Sequence, residues 1–141
     1  MKQNAIIFSE YRFKDLKEDT FGQKLKKAKL IARYNQNELA NLVGLSKSYI
    51  NDLKAGTQTH LTKVNLLKLH KYLDKNLVMN DYFSFVLNQK LILKEILNKY
   101  SIKELSKILN VHESTINKWY YESCQISVYN FNILKNYITK D

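Results

Sequence analysis

The sequence predicts an all-α protein, and three observations support that prediction. Apolar residues recur at spacings of three and four almost throughout the chain, which is the period of one face of a helix. The chain contains no proline that would interrupt a helix. It has only three glycines, and two of them, Gly44 and Gly56, directly follow short periodic segments, where a helix commonly ends in a left-handed residue.

Composition sets bounds on the class of protein. The 141 residues suffice for one compact domain or two small ones, and a hydrophobic fraction of 45% is typical of a globular chain. The single cysteine, Cys124, excludes an internal disulfide, so a cytoplasmic location is the default expectation. No apolar run approaches the roughly 18 to 20 residues of a membrane-spanning helix, and the N-terminal apolar run is too short for a signal peptide. We therefore expect no membrane partner.

The charge of the chain is strongly positive. A net charge of +10 and a pI near 9.6 favour polyanionic partners, with nucleic acid first and an anionic membrane second. Residues 1–80 contain 15 basic and 7 acidic residues, a net charge of +8, whereas residues 81–141 contain 8 and 6, a net charge of +2. The first half of the chain is therefore the half expected to bind a polyanion.

The first two elements are an extension and a helix. The extension, residues 1–19, mixes apolar and charged side chains, so it either folds over the first domain or joins a partner. Residues 21–34 predict an amphipathic helix. Its apolar stripe consists of Phe21, Leu25, Ala28 and Ala32. The lysines around the rest of the helix form either a solvated face or a ridge that faces DNA; they are Lys24, Lys26, Lys27 and Lys29.

Residues 35–56 predict two short helices joined by a tight turn. Asn35 and Glu38 have the spacing of a capping box, so the first helix should begin at Gln36 and run to about Val43. Gly44 then permits the positive φ that the turn requires.

The second short helix should run from Lys47, after a cap at Ser46, to about Lys54. Ile50 and Leu53 are expected to be buried. Their expected neighbours from the preceding segment are Leu39, Val43 and Leu45. The small side chain of Ala40 lets the two helices cross closely.

The stretch QNELANLVGLSKSYINDLKAG, with the THLTKVNLLKLHKYL that follows it, resembles the helix-turn-helix domain of the lambda-repressor and Cro class, also called the XRE type. The resemblance covers roughly residues 20–73 and implies a five-helix DNA-binding domain, which we place at residues 20–76. One position departs from the family pattern: Lys54 stands where the family often has a glutamate paired with a basic residue of the first helix. That ion pair should be absent, which leaves Lys54 free to face phosphate.

The resemblance implies that helix 47–54 enters the major groove of double-stranded DNA while the preceding helix crosses the backbone. Base readout is then expected from the exposed N-terminal face of helix 47–54, with Asp52 as a further candidate. The expected readers are Lys47, Ser48, Tyr49 and Asn51. Lys47 suits guanine, Asn51 suits adenine, and the ring of Tyr49 suits a thymine methyl group. The alternative for Tyr49 is partial burial against the neighbouring domain.

Phosphate contacts are expected on both sides of that helix. Gln36 lies at a helix N-terminus, where its amide and the unpaired backbone amides can hold a phosphate. The loop after Gly56 and the start of the next helix supply a second clamp. The expected phosphate set is Gln36, Lys54, Thr57, Gln58, Thr59 and Lys63.

A self-comparison indicates an internal repeat. A shift of 66 residues aligns NQNELANLVGLSKSYIN with SIKELSKILNVHESTIN, and a shift of 65 aligns LTKVNLLKLHKYL with ISVYNFNILKNYI. The alternative is chance similarity between helical segments. The repeat predicts a second, divergent helix-turn-helix domain at residues 82–141. The linker before it is apolar, so we expect the two domains to pack together.

The second domain departs further from the family pattern. Asn110 replaces the turn glycine, His112 is a poorer cap than Ser46, and Glu122 stands at the position of Gly56. Glu113, at the position of Lys47, repels phosphate.

The expected readers of the second domain, on helix 113–121, are Ser114, Thr115, Asn117 and Lys118. The aromatic residues Trp119, Tyr120 and Tyr121 are interpreted as core or interface residues. This domain either binds DNA weakly or serves protein contacts.

Other chemistries lack support in the sequence. The three histidines and Cys124 are too scattered for a zinc site, and we expect no metal and no cofactor. No glycine-rich phosphate loop, nucleophile elbow or supported acid pair is present, so we expect no enzyme activity.

Two functional classes remain. The first is a sequence-specific transcriptional regulator, expected to be a repressor, in a bacterium or its phage or plasmid; the richness in Lys, Asn and Ile is typical of AT-rich coding. It would bind as a homodimer, or as a covalent pseudo-dimer that spans two major grooves about 34 Å apart. The second is a protein-interaction role on the same scaffold, as an antitoxin, an antirepressor or a phage-encoded inhibitor.

Overall fold

A computed structural model describes residues 16–138 of the chain. Over that range the chain forms nine helices and no strand, which confirms the all-α prediction. The chain divides into two compact units, one ending at Asn80 and the other beginning at Asp81. Most of the predicted N-terminal extension lies outside the described residues, so its two expected roles stay predictions.

The first unit contains four described helices: α1 (Phe21–Ala32), α2 (Gln36–Val43), α3 (Lys47–Ala55) and α4 (Lys63–His70). The resemblance implied five helices over residues 20–73, and the structure has four there. The chain after α4 forms turns instead, because the Asp74 side chain and carbonyl accept hydrogen bonds from the amides of residues 76–78.

Helices α2 and α3 begin and end through the local signals that the sequence predicted. Asn35 Oδ1 accepts from the Glu38 amide at 2.8 Å, and Glu38 Oε1 accepts from the Asn35 amide at 3.0 Å, so both halves of the capping box are formed. Ser46 Oγ accepts from the amide at the first turn of α3. Gly44 and Gly56 end the two helices with φ values of 70° and 82°.

The core of the first unit is formed by one face of each helix. Leu25 of α1, Leu39 of α2, and Ile50 and Leu53 of α3 are buried, as predicted. Ala40 is also buried, and Leu45 is half-buried. These positions recur at helical spacing, so burying them fixes which face of α3 remains outside.

The third glycine, Gly22, lies where α1 crosses α3. A Cβ built on it would lie 2.3 Å from the Lys54 carbonyl oxygen and 2.7 Å from the Leu53 carbonyl oxygen. Both neighbours are backbone atoms that cannot rotate away. Glycine at position 22 therefore permits a close approach between the two helices that the sequence did not reveal.

The second unit contains five helices: α5 (Asp81–Leu87), α6 (Gln89–Lys99), α7 (Ile102–Leu109), α8 (Glu113–Tyr120) and α9 (Val128–Ile138). Its core includes Leu93, Leu105, Ile116 and Leu134. Trp119 joins this core, as predicted, whereas Tyr121 is 70% exposed because it lies just beyond the end of α8.

Local features of the first unit recur in the second at an interval of 66 residues. Ser101 forms a capping box with Glu104, Asn110 adopts a positive φ of 53°, and Glu122 adopts a positive φ of 58°. His112 precedes α8 but its side chain makes no capping hydrogen bond, in line with its expected weakness as a cap. These features support the repeat, which stays a prediction.

The loop between α8 and α9 is held by one buried side chain. Gln89 Nε2 donates to the Trp119 carbonyl at 2.9 Å and to the Cys124 carbonyl at 3.1 Å, and Gln89 Oε1 accepts from the Ile126 amide at 3.1 Å. Three backbone groups, one in the last turn of α8 and two in the segment that follows it, thus obtain partners from a single amide.

The contact at Gly22 predicts that a single methyl group added at this position lowers the stability of the first unit. Gly22→Ala should lower the free energy of unfolding by about 2 kcal/mol or more, because backbone must move to admit the Cβ. The measurement is urea unfolding of the full chain followed by circular dichroism at 222 nm.

Gly44→Ala is the matched control for this variant. A Cβ at position 44 meets nothing within 4 Å, so only the positive φ is strained and the cost should be about 1 kcal/mol. Equal costs for the two variants would contradict the close approach of α1 to α3.

Candidate nucleic-acid interface

Helix α3 has one face in the core and the opposite face in solvent. Ile50 and Leu53 are buried, and Lys47, Ser48 and Asn51 are exposed. Asp52 lies on the exposed side as well. Three of the four residues predicted to read bases in the first unit therefore project from the protein at the N-terminal half of α3.

Tyr49 is placed differently from the other three predicted readers. It is half-buried, and its hydroxyl donates a hydrogen bond of 2.7 Å to the His60 carbonyl oxygen. The phenol thus anchors α3 to the loop that precedes α4, within its own unit. Partial burial was the alternative expected for Tyr49, although against the neighbouring domain.

Gln36 connects two residues of α3. Its Nε2 donates to Asn51 Oδ1, and its Oε1 accepts from Lys54 Nζ at 2.8 Å. The first residue of α2 thus holds a predicted base reader and a predicted phosphate ligand together. Asn51 is exposed, and its amide NH₂ group remains available as a donor.

Lys54 has a hydrogen-bond partner that the sequence did not predict, because its half-buried ammonium group donates to Gln36. Its expected contact with phosphate stays a prediction. Burial, followed by the neighbouring charge of Lys29, lowers the pKa of Lys54 to about 8. Lys26 adds a smaller effect of the same sign.

The lysines of α1 do not form a uniform solvated face. Lys27 is 9% exposed and forms an ion pair of 3.0 Å with Glu18. Lys24 Nζ donates to the Met79 carbonyl at 3.0 Å. Lys26 and Lys29 differ from both because they lie on the side of α1 that faces Lys54.

The turn between α3 and α4 holds most of the remaining predicted phosphate ligands. Thr57 Oγ1 donates to the side chain of Asp52, and the Gln58 amide donates to the Asp52 carbonyl. Thr59 is exposed, and Lys63 is the first residue of α4. The structure brings this turn next to the C-terminal end of α3, whereas Gln36 lies beside the middle of that helix.

In the second unit, α8 presents a comparable outer face. Ser114, Asn117 and Lys118 are exposed and Thr115 is half-buried. Glu113 is exposed at the first turn of α8. The four predicted readers of this unit therefore lie near the acidic Glu113, whereas the first unit has Lys47 at the corresponding position.

Comparison with known protein families gives one match. Residues 25–79 match the family model described as Helix-turn-helix. The matched segment contains α2 and α3. The family is one of DNA-binding regulators that are generally not enzymes. Neither curated proteins nor solved structures gave a match to the chain.

No helix among the described residues is long and apolar enough to cross a membrane. Over residues 16–138, no three His, Cys, Asp or Glu side chains are grouped so that they could hold a metal ion.

Sequence reasoning missed the contacts that connect the predicted residues. The convergence of Lys26 and Lys29 on Lys54 was not predicted, although a signal for it existed: the position of Lys54 is one that the family pairs with a basic residue of the first helix. The bond from Tyr49 to His60 has no sequence signal, because it depends on the path of an irregular loop.

The Tyr49 contact predicts a structural effect without any DNA. Tyr49→Phe should lower the free energy of unfolding by roughly 0.5 to 1 kcal/mol, because the His60 carbonyl loses its donor. Tyr34→Phe is the control, since the Tyr34 hydroxyl makes no hydrogen bond within the described residues. Equal urea midpoints for the wild type and Tyr49→Phe would contradict an anchoring role.

Proposed function

We propose that the protein is a sequence-specific double-stranded-DNA-binding transcriptional regulator that acts as a repressor, with α3 in the major groove. The observation that carries the proposal is the outer face of α3: Lys47, Ser48 and Asn51 are exposed on a helix whose other face is core. That helix lies inside the segment that matches the Helix-turn-helix family. A nine-residue helix fits the width of the major groove.

The base contacts follow from the chemistry of the exposed side chains. Lys47 donates to the O6 and N7 acceptors of guanine. Asn51 donates its NH₂ group to a purine N7 or a thymine O4. Its oxygen accepts from Gln36 and keeps a second lone pair that can accept from adenine N6. Any thymine contact by Tyr49 uses its ring alone, because its hydroxyl is bound to His60.

Phosphate contacts hold the helix in register on both sides. Gln36 acts beside the middle of α3, Lys54 acts from its last turn, and Thr57, Gln58, Thr59 and Lys63 act beyond its C-terminal end. Repression needs only occupancy, since a protein seated in the groove of a promoter excludes other proteins. The base composition implied by the sequence fits a host with AT-rich DNA, a bacterium or its phage or plasmid.

The second unit is proposed to act as a second reader through α8. Ser114, Asn117 and Lys118 are exposed there, as their counterparts are on α3. One chain would then bind as a covalent pseudo-dimer to two major grooves about 34 Å apart. If α8 does not read DNA, a homodimer on a palindromic operator replaces the pseudo-dimer.

A protein-interaction role is the second candidate, and the exposed surface of the second unit favours it. Tyr121 and Tyr129 are each at least 70% exposed. Glu113 places a negative charge in the first turn of α8, the helix that would have to approach the phosphates. Aromatic residues are common in the buried centres of protein interfaces. On this reading the chain acts as an antitoxin, an antirepressor or an inhibitor.

Selection of bound duplexes from a random pool, followed by a salt titration, tests the proposal. Regulatory binding requires a recovered consensus and a log–log salt slope of about −4 or steeper, because several phosphates release counterions. The arrangement of the consensus then distinguishes a palindrome from two unlike half-sites. A pool that yields no consensus, with affinity independent of salt, would favour the protein-interaction role.

Lys47→Ala should weaken binding to the selected duplex by about 5- to 100-fold and leave nonspecific binding within about threefold, because a base contact is lost. Fluorescence anisotropy with the selected and a scrambled duplex measures both affinities. Lys68→Ala is the matched control, since Lys68 is exposed on α4 of the same unit and removes the same charge. Equal losses for the two variants on the selected duplex would place Lys47 outside the groove.

Asn117→Ala tests the second reader separately. If α8 enters a groove, this variant should lose specificity at one half-site by about 1–3 kcal/mol per base pair, and Asn51→Ala should lose it at the other. The measurement is a repeated selection with each variant. Asn132→Ala, at an exposed position of α9, is the control. An unchanged consensus for Asn117→Ala would assign α8 to protein contacts.

A further inference from the structure

Three lysines of the first unit lie close together, and within residues 16–138 no acidic side chain forms an ion pair with them. Lys54 of α3 lies beside Lys29 and Lys26 of α1, close enough for both to act on its charge. The Lys54 ammonium group donates a hydrogen bond of 2.8 Å to the neutral side-chain oxygen of Gln36. Like charges at a half-buried position repel each other, and removal from water adds to the cost of the charged form. A folded protein keeps such an arrangement only if something offsets the repulsion.

The backbone holds the two helices that carry these lysines close together. Gly22 allows α1 to approach the carbonyl oxygens of Leu53 and Lys54 so closely that no Cβ fits between them. Lys26 and Lys29 lie one and two turns after Gly22 on the same helix. Gln36 then takes one of the three donors of Lys54 and leaves the others directed away from α2.

We propose that Lys26, Lys29 and Lys54 together bind one phosphate group of the DNA backbone, with Gln36 as the residue that positions Lys54. This inference rests on the proposed function, and it adds two residues of α1 to the interface. A phosphate oxygen placed among the three ammonium groups is attracted to each of them, and these three attractions offset the mutual repulsion of the lysines. Because residues of both helices bind the same phosphate group, the site also links α1 to α3, the helix proposed to enter the groove.

The other lysines of α1 show that the convergence is selective. Lys27 has Glu18 as an ion-pair partner, and Lys24 donates to the Met79 carbonyl. Both of these ammonium groups therefore already have partners within the first unit. The lowered pKa of Lys54 agrees with a site that lacks its anion, since a bound phosphate would raise that pKa again.

The first test compares stability with DNA affinity in the same variant. Lys54→Met should raise the melting temperature by roughly 2–5 °C, because repulsion with Lys29 and Lys26 is removed. It should weaken binding to duplex DNA by about 5- to 10-fold and reduce the salt slope by about one. A residue with a purely structural role would not move the two properties in opposite directions.

Lys75→Met is the control for the change of charge, since Lys75 is exposed in the turns after α4 and lies outside the proposed interface. It should leave the melting temperature and the salt slope unchanged. Lys29→Met should repeat both effects of Lys54→Met. If either Lys54→Met or Lys29→Met binds DNA with wild-type affinity and salt slope, the inference is overturned.

The second test uses pH. Below about pH 8, Lys54 is charged before DNA binds; above it, the free protein has lost that proton and binding must take one up. The wild-type dissociation constant should therefore rise between about pH 8 and 9.5, by up to tenfold per pH unit. The charged groups that face Lys54 are Lys26 and Lys29 of α1, and α2 contributes the neutral Gln36.

Lys54→Arg separates this effect from other titrations, because arginine stays charged over that range. It should bind DNA within about threefold of the wild type at pH 7 and show a flat profile to about pH 9.5. A wild-type profile that is already flat, or a Lys54→Arg profile as steep as the wild type, contradicts the inference.

A third arm distinguishes the source of the phosphate and separates this inference from the proposed function. Inorganic phosphate alone is titrated into the full chain, and the ε-carbon resonance of Lys54 is followed by NMR. A weak rise of the Lys54 pKa with inorganic phosphate and a strong one with duplex supports a backbone site. If no duplex binds the wild type, the proposed function fails; a phosphate response at Lys54 would then still support an anion site, and its absence would overturn that as well.

Discussion

The contact between α1 and the end of α3 is the constraint on which the first unit depends. Two helices can approach to backbone contact only where one of them lacks a Cβ, and Gly22 provides that position. Beside this contact, Ile50 and Leu53 of α3 are buried in the core while Lys47 and Asn51 remain exposed. Gly22 thus permits the close crossing, and burial of the apolar face determines which side chains of α3 are exposed.

The same contact explains the electrostatics of the first unit. Because α1 cannot withdraw, Lys29 and Lys26 stay near Lys54, and the resulting repulsion is retained in the folded state. Burial and repulsion both act against the charged form of Lys54, and its hydrogen bond to Gln36 satisfies one donor without neutralising the charge. In the proposed phosphate site, stability and binding are therefore in opposition at Lys54, as is common where a protein holds groups ready for a ligand.

Features that depend on neighbours in sequence were predictable, and features that depend on tertiary placement were not. The capping box of Asn35 and Glu38 and the left-handed Gly44 follow from chemistry within four residues, and both are present. The burial of Lys27 and the role of Gly22 depend on which chain segment lies opposite α1, and no local pattern encodes that. The chain after α4 forms turns, whereas the resemblance implied a fifth helix in the first unit. For the candidate site, exposure could be inferred from helical periodicity, but the partners of Gln36 and Tyr49 could not.

The buried amide of Gln89 constrains how the second unit can change over evolutionary time. It satisfies one backbone group of α8, at Trp119, and two in the segment between α8 and α9, at Cys124 and Ile126, so its shape and the path of that segment are matched to each other. An apolar residue at position 89 would leave those backbone groups without hydrogen-bond partners. An insertion in the segment would move the backbone groups away and leave the Gln89 amide without its partners. Substitution at 89 and loop length should therefore covary among descendants of this chain, while the solvent-facing residues of α8 remain free to diversify.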